Sequence, residues 1–562
     1  MNRPPIGLAR FDRVAAGAVV LAALAVYLPY LKNPLVFDDA SFFYGGSFYV
    51  AAVAPWEYGL RGLSYFTLAF VEVIFGQMWA HRLVGCVLHA FCAYALFLFV
   101  RDLLHDASPQ GAASPGAADP RWIALIAALA FTVHPVAVYG AGYLVQRSGL
   151  LALLFSLLCL RAFRRGLLDN DVSAILAATA FYVLAVLSKE HALLLPLAAA
   201  PLAIAIARLH GVSVARGSAY FLAMCVPVAI LILMEKSHFV AAAYEPHLAE
   251  LRGELFAPPE FASGFQRWLA SASTQANLFF KYALLWFWPD TGQMAIDLRV
   301  DVGNAPSGVL PWLRLAAFAA TGLCGLAVLT CAGRAATVAA FAALYAWSMF
   351  LVEMGAVRFQ EPFVLYRSYL WAPGYAILFA LLLQRVRLRW AIGVAGVTLP
   401  LLVLGAYNRL DTFRSSLALW NDAVSALPYA EINGARRIYY NRGRALYMSG
   451  RYAEALQDAE MAVRLAPNSA PMRIARGAAL LELGRLPEAA SDFEAASRLA
   501  PDEQRAHILL ARTLELLDQP ARADETVRRA ESLGHRGSLD WLQKFRAQRT
   551  GIGASEIPQD RK

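Results

Sequence analysis

The stretch Asn33-Pro34-Leu35-Val36-Phe37-Asp38-Asp39 closes an apolar run that begins at Val14. A run of about 18 apolar residues is long enough to cross ~30 Å of hydrocarbon. Lys32-Asn33-Pro34 ends the run and turns the chain at a membrane boundary. Two adjacent carboxylates stand just past that turn. Arg3, Arg10 and Arg13 precede the run, and Tyr27-Leu28-Pro29-Tyr30 stands where a small-residue cleavage site would be. The run therefore reads as an uncleaved first span with its basic flank inside.

Working outward, the 562-residue chain is 59% hydrophobic and 16% charged. A soluble domain carries nearer a quarter charged residues. Apolar runs recur at roughly 82–99, 123–139, 144–160, 174–187, 192–207, 219–234, 312–329, 337–354, 369–383 and 391–406. They predict an all-α, polytopic membrane helix bundle of about eleven spans over residues 1–410. The net charge of +9 lies largely in short loops, at Arg161, Arg164 and Arg165 and at Arg385, Arg387 and Arg389. That is the positive-inside bias, so basicity reports orientation rather than a nucleic-acid partner. The six cysteines sit in or beside apolar runs without C-x-x-C spacing, and neither a disulfide framework nor a zinc site is expected.

Residues 32–80 form no clean span. Asp38, Asp39, Glu57, Arg61 and Glu72 lie there among many aromatics, which suits the outer interface, and Ser64 to Phe75 reads as an interfacial or re-entrant helix. Residues 235–311 form a second outer segment. Its apolar piece 278–288 either dips into the bilayer or crosses it, and a crossing would invert the side of everything after it.

Beyond Tyr407 the composition becomes polar. The sequence Asn441-Arg442-Gly443-Arg444-Ala445-Leu446-Tyr447 leads on to Gly450, Ala455, Ala462 and Pro467. Shifted by 34 residues the pattern returns as Gly477, Leu480, Gly484, Ala489, Phe493, Ala496 and Pro501, then more faintly as Ala511, Leu514, Ala523 and Ala530. This resembles the tetratricopeptide repeat, in which small residues let antiparallel helices approach closely. A repeat domain, an α-solenoid, is expected at 411–545, with a polar, disordered tail at 546–562.

Four inter-span turns carry chemistry-bearing residues. Asp38-Asp39 is either an exposed helix-capping pair or a general base for a hydroxyl, since partial burial and a neighbouring charge raise a carboxyl pKa. His134-Pro135 with Gln146-Arg147 either anchors a span at the headgroups or meets a phosphate. Lys189-Glu190 either ends a helix as an ion pair or offers Lys189 to a phosphate as a point charge. Glu361 to Pro373, with Arg367, is either an aromatic belt with a snorkelling arginine or part of the same site. All four turns fall on one face. No glycine-rich phosphate loop, G-x-S-x-G elbow or H-E-x-x-H is present.

Taken in order, these segments resemble the tetratricopeptide-containing transmembrane O-mannosyltransferases and their bacterial relatives, in the GT-C class of glycosyltransferases. The resemblance rests on Val36-Phe37-Asp38-Asp39, Arg61-Gly62-Leu63-Ser64, His81-Arg82 through Leu88-His89-Ala90, Val133-His134-Pro135 with Tyr143 to Ser148, Ser188-Lys189-Glu190, Tyr366-Arg367-Ser368-Tyr369-Leu370 with Pro373-Gly374, and the repeats. Gly62 stands where the family has proline. The resemblance implies an inverting transfer of a sugar from a polyprenyl phosphate to a hydroxyl, on Ser or Thr of an exported protein held by the repeats. Asp38 or Asp39 would be the base. Arg147, Lys189 and Arg367 would hold the donor phosphate, supported by Arg61, His134, Gln146 and Glu190. No cofactor is expected, although a carboxylate pair is compatible with a divalent metal. The implied setting is a bacterial inner membrane with site and repeats on the periplasmic side. The alternatives are a scaffold that recruits envelope proteins through its repeats, and a transferase acting on a lipid or polysaccharide.

Overall fold

The computed structural model describes residues 6–44, 47–108, 119–235, 263–302, 308–359 and 361–549. Among them the chain is helical, with one isolated bridge between Leu298 and Phe363. It divides into two compact units, 1–419 and 420–562. The division falls later than the expected 410 because Leu410 and Phe413 are buried in the first unit, with Phe413 against Tyr139 and Tyr143. Parts of the second outer segment (236–262 and 303–307) and of the expected tail (550–562) lie outside the described residues.

The first unit opens with α1 (Ile6–Tyr27), the short helices α2 (Asp38–Tyr44) and α3 (Ser47–Val53), then α4 (Gly62–Phe75) and α5 (Met78–Ala107). Next come α6 (Pro120–Thr132), α7 (Val138–Ala141), α8 (Arg147–Leu168), α9 (Val172–Ser188), α10 (Leu195–His210) and α11 (Ala215–Glu235). α12 (Gly264–Phe287), α13 (Leu310–Cys331), α14 (Arg334–Met354), α15 (Ala372–Gln384) and α16 (Leu388–Thr412) complete it, and α17 (Ser416–Ser425) straddles the junction. Among the described residues seven helical segments are long and apolar enough to cross a membrane, or eight if the pair Pro120–Thr132 and Pro135–Ala141, bent by 51°, counts as one. α9 and α15 are apolar but shorter. The bend follows from Pro135, which cannot donate to the helix ladder and pushes His134 to an extended ψ of 131°.

Polar side chains gather at the two ends of the bundle. At one end Arg101 pairs with Asp12, Arg161 with Asp102, and Arg164 with the buried Asp106 at 2.6 Å. His210 meets the same Asp106 at 3.0 Å, and Arg334 donates to the carbonyls of Asp106, Ser108 and Leu209. These bonds join the start of α14 to the ends of α5 and α10. At the opposite end lie Asp38, Arg82, Lys189, Glu353 and Arg367. Between them the helices pack closely: a Cβ on Gly374 would stand 2.5 Å from the carbonyl oxygen of Ala342, so α15 approaches α14 without room for a methyl group.

Two outer segments expected from the sequence are helical here. Ser64 to Phe75 forms α4, which ends at Gly76 in the left-handed region with φ +56°. Its Leu68 and Ala69 bury against Phe42, Phe43, Leu144 and Val145, while Phe70, Val73, Ile74 and Phe75 remain exposed. The piece 278–288 belongs to the 24-residue α12. Near its start Trp268 bonds the carbonyl of Met354, and near its end Trp286 bonds Ser368 Oγ. Both belong to the Lys189 end, so α12 lies along that end of the bundle.

The second unit stacks antiparallel pairs: α18 (Ala435–Met448) with α19 (Tyr452–Leu465), α20 (Ala470–Glu482) with α21 (Leu486–Leu499), and α22 (Gln504–Leu516) with α23 (Pro520–Ser532). The 34-residue period is visible as chemistry. Arg442 binds Asp458 with two bonds of 2.7 and 2.6 Å, and Arg476 binds Asp492 with two of 2.6 Å. The turn glycines Gly450 and Gly484 have φ of +76° and +74°, and Asp518 takes the same conformation in the third pair with φ +56°. The third turn therefore survives the loss of its glycine, as the tolerance of aspartate for this region allows. α24 (Ser538–Arg549) closes the array. Arg546 there pairs with Glu515 and Asp524, which corrects the expectation of disorder from 546 for residues 546–549.

Candidate active site

The chain turns out of α1 through Asn33-Pro34, and the turn is held from two sides. Arg82 of α5 donates to the carbonyls of Asn33 (2.8 Å), Pro34 (2.6 Å) and Gly142 (2.9 Å), and the Asn33 side chain donates to the carbonyl of Leu410 at 3.1 Å. Phe37 then takes φ +54°, a left-handed conformation that costs a non-glycine residue roughly 1–3 kcal/mol. The strained residue presents the acid pair as the first turn of α2.

The two acids have different fates. Asp39 is fully buried, and its Oδ1 accepts the Val145 main-chain N–H at 2.9 Å. Burial pushes its carboxyl up to about 7, against the lowering pull of the Val145 bond and the Arg82 charge. Asp38 is exposed, and its main-chain N–H donates to the Tyr143 hydroxyl at 3.2 Å. Burial, followed by the charges of Asp38 and Asp39, holds the Tyr143 phenol well above its ordinary value. Tyr143 stands beside Tyr366 with ring centroids 6.1 Å apart, and Tyr366 in turn feels the Asp38 charge.

Lys189 also neighbours Tyr366. It leaves the end of α9 in extended conformation, φ −160° and ψ 132°, before the 3₁₀ turn Glu190–Leu194. Its Nζ donates to Gln146 Oε1 at 2.9 Å and lies 5.3 Å from the centroid of the Tyr366 ring. Among the described residues no carboxylate stands within ion-pair distance of it. Burial brings this ammonium down to about 7, offset only partly by the nearby Glu190 and Glu353 and reinforced by Arg61 and Arg367.

A continuous ionic chain runs behind these groups. Arg61 binds Glu190 with bonds of 3.2 and 2.8 Å. His191 joins Glu190 to the buried Glu353, at 3.5 and 2.8 Å. Glu353 also meets Arg367 at 3.0 Å and Arg358 at 3.3 Å. Arg367 reaches Glu361 at 3.5 Å, and Glu361 accepts the Tyr366 hydroxyl at 3.0 Å. Burial disfavours the Arg367 charge, but Glu353 and then Tyr366 and Glu361 outweigh it and keep the guanidinium firmly protonated.

Asp38, Lys189 and Arg367 thus gather near Tyr366, with Gln146 bonded to Lys189 and the Arg61–Glu190 pair close enough to act on its charge. Two sequence-derived site residues are placed elsewhere. Arg147 is 1% exposed, and its guanidinium donates to the carbonyls of Thr67 (3.0 Å) and His81 (2.9 Å), so it braces α4 against α5 instead of meeting an anion. His134 is buried, with Nδ1 accepting the Val136 N–H and its ring stacked on Trp286 at 4.5 Å, in the wall of an apolar cavity of about 390 Å³. Asp39 is likewise occupied by Val145. Tyr143, Tyr366, Glu353 and Arg358 were missed from sequence. Glu353 carried a usable signal, a lone carboxylate at the end of an apolar run. No group of three metal-ligating side chains occurs among the described residues.

Residues 436–469 and again 471–491 match the tetratricopeptide repeat. No curated protein matches the chain. Repeats of this kind mediate protein–protein interactions, and here they follow a unit rich in apolar helices that carries a charged, aromatic-lined site at one end.

Proposed function

We propose that the chain is a membrane glycosyltransferase that moves a sugar from a polyprenyl phosphate to a hydroxyl acceptor, with the Asp38 end of the bundle facing the extracytoplasmic side. The observation that supports this reading most directly is the grouping of an exposed carboxylate, Asp38, and a buried ammonium, Lys189, near Tyr366, the ammonium having no carboxylate partner among the described residues. The donor phosphate sits at Lys189, flanked by Arg367 and Arg61. Asp38 takes the proton of the acceptor hydroxyl as its oxygen attacks the anomeric carbon from the face opposite the phosphate. The sugar–phosphate C–O bond breaks, the configuration inverts, and the bonding pair leaves with the polyprenyl phosphate. Lys189 and Arg367 stabilise that departing charge in a site of low polarity, where fixed cations act most strongly.

Glu353 holds Arg367 and Arg358 in place, and the long contact of 3.5 Å between Arg367 and Glu361 is the one a phosphate displaces. Tyr143 fixes the Asp38 backbone. The repeats bring the acceptor polypeptide. Incubating the purified full-length protein with a radiolabelled polyprenyl-phosphate sugar tests the reading: label entering protein supports it. Label entering only lipid or polysaccharide replaces the acceptor class, and no transfer under any acceptor leaves a scaffold.

A further inference from the structure

The cavity beside His134 takes no part in the chemistry proposed above. It measures about 390 Å³ and is walled by α6, the end of α12, α15 and α16. Its lining is aromatic and aliphatic, and no charged side chain belongs to it. Phe287, Trp288 and Leu401 line it and are 43%, 74% and 61% exposed, so it opens at the surface of the bundle. α16, one of its walls, is long and apolar enough to cross a membrane and also exposes Val394, Val397 and Leu404. The opening therefore faces hydrocarbon.

Two buried polar atoms of the lining are left over. His134 Nδ1 accepts the Val136 N–H at 3.2 Å, which puts the ring proton on Nε2. Among the described residues that Nε2 has no hydrogen-bond partner, the Trp286 carbonyl standing near the ring but outside bonding geometry. The Tyr375 hydroxyl has none either. Both residues are nine-tenths or more buried. A buried donor without an acceptor is costly, and here two of them share one cavity wall.

We infer that this cavity holds one acyl chain of a bilayer glycerolipid, which enters past Trp288 and Leu401 and offers an ester carbonyl to the His134 Nε2–H or the Tyr375 hydroxyl. A lining without charge excludes a phosphate or a free carboxylate from the cavity. Two donors call for an acceptor, which a bare hydrocarbon tail lacks. An apolar chain bearing a neutral carbonyl meets both conditions. Trp288 fits the depth, since exposed tryptophan settles at the headgroup boundary, the level of the lipid ester groups. The inference rests on the first unit lying in a membrane and is independent of sugar transfer.

The test photolabels the full-length protein in mixed detergent–lipid micelles with a phosphatidylcholine that carries a diazirine near the end of one acyl chain. Label is expected on peptides spanning 127–135, 375–379 and 398–405. Dioleoyl phosphatidylcholine and dioleoyl phosphatidylglycerol are expected to compete equally, because the cavity is uncharged. The diether analogue has the chains but no carbonyl and is expected to compete about tenfold less well. Tyr375→Phe and His134→Ser are each expected to narrow that gap, and the serine keeps a side-chain acceptor for the Val136 N–H. Ala376→Phe, which fills the cavity, is expected to remove label from these peptides and spare label elsewhere. Diffuse labelling of all lipid-facing helices, equal competition by the diether, or an unaltered gap in both donor variants overturns the inference. Stronger competition by a polyprenyl phosphate than by the dioleoyl lipids overturns it as well and gives the cavity to a prenyl tail.

Discussion

Asp39 Oδ1 accepts the main-chain N–H of Val145 at 2.9 Å, and that bond sorts two adjacent, identical side chains into a buried brace and an exposed acid. Asp38→Asn is expected to lower transfer about 10²- to 10⁴-fold, the usual worth of a general base, with an unchanged melting temperature. Asp39→Asn keeps an acceptor for Val145 and is expected to retain most of the activity. Turnover of both variants with a labelled donor decides it, and wild-type turnover in Asp38→Asn sinks the base assignment.

Asp39 also gives the fold a pH dependence. Its folded pKa of about 7 exceeds that of an unfolded aspartate near 3.9. The stabilising contribution is therefore complete below about pH 4 and is lost as pH rises through about 7. Melting temperatures measured from pH 5 to 8 are expected to fall in the wild type and to stay flatter in Asp39→Asn.

Lys189 gives ligand binding a pH dependence of its own. Its ammonium has come down to about 7, and only the charged form attracts a phosphate. Donor affinity is expected to fall as pH rises above about 7, by up to tenfold per pH unit, because each unit removes tenfold of the protonated form. Lys189→Gln is expected to bind donor more weakly and without that slope. Titration of a fluorescent polyprenyl-phosphate analogue at pH 6.5 and 8.5 separates the two.

The helical class, the 34-residue repeat and the gathering of Asp38, Lys189 and Arg367 at one end were legible because each leaves a local mark: an apolar run, a period, or a charge beside a helix break. What the sequence hid was direction. Arg147 and Lys189 look equally suited to an anion on paper. In the fold Arg147 turns into the carbonyls at Thr67 and His81, while Lys189 meets an amide oxygen and a ring face and, among the described residues, no carboxylate. The choice between Asp38 and Asp39 was hidden in the same way, since it depends on Val145, more than a hundred positions away. Glu353 was legible as a lone carboxylate at the end of an apolar run, but its partners Arg367, Arg358 and His191 were not.

Arg147 and Arg367 are therefore expected to fail differently. Arg147→Ala leaves two buried carbonyls without a donor, at a cost of about 2–4 kcal/mol, and is expected to lower the melting temperature while sparing the KM for donor in the protein that remains folded. Arg367→Ala is expected to raise that KM and lower kcat, because the lost charge faces the phosphate. Kinetics normalised to folded protein distinguish the two, and a donor defect confined to Arg147→Ala would return that residue to the site.

Gly477 supplies a last test, one that separates the repeats from the chemistry. Replacing glycine by alanine inside a helix ordinarily gains up to about 1 kcal/mol. At Gly477 a new Cβ would stand 2.8 Å from the buried ring of Phe493, whereas at Gly443 it would meet the Asp458 Cβ at 3.2 Å. Overpacking of about 1–3 kcal/mol exceeds the propensity gain, so Gly477→Ala is expected to destabilise the array and Gly443→Ala to do so less. Limited proteolysis between residues 435 and 532 reads the difference. If the repeats serve only to bring the acceptor, Gly477→Ala is expected to lose transfer to a folded protein acceptor while keeping transfer to a short Ser/Thr peptide at high concentration. Loss of both together would mean that the array also shapes the donor site.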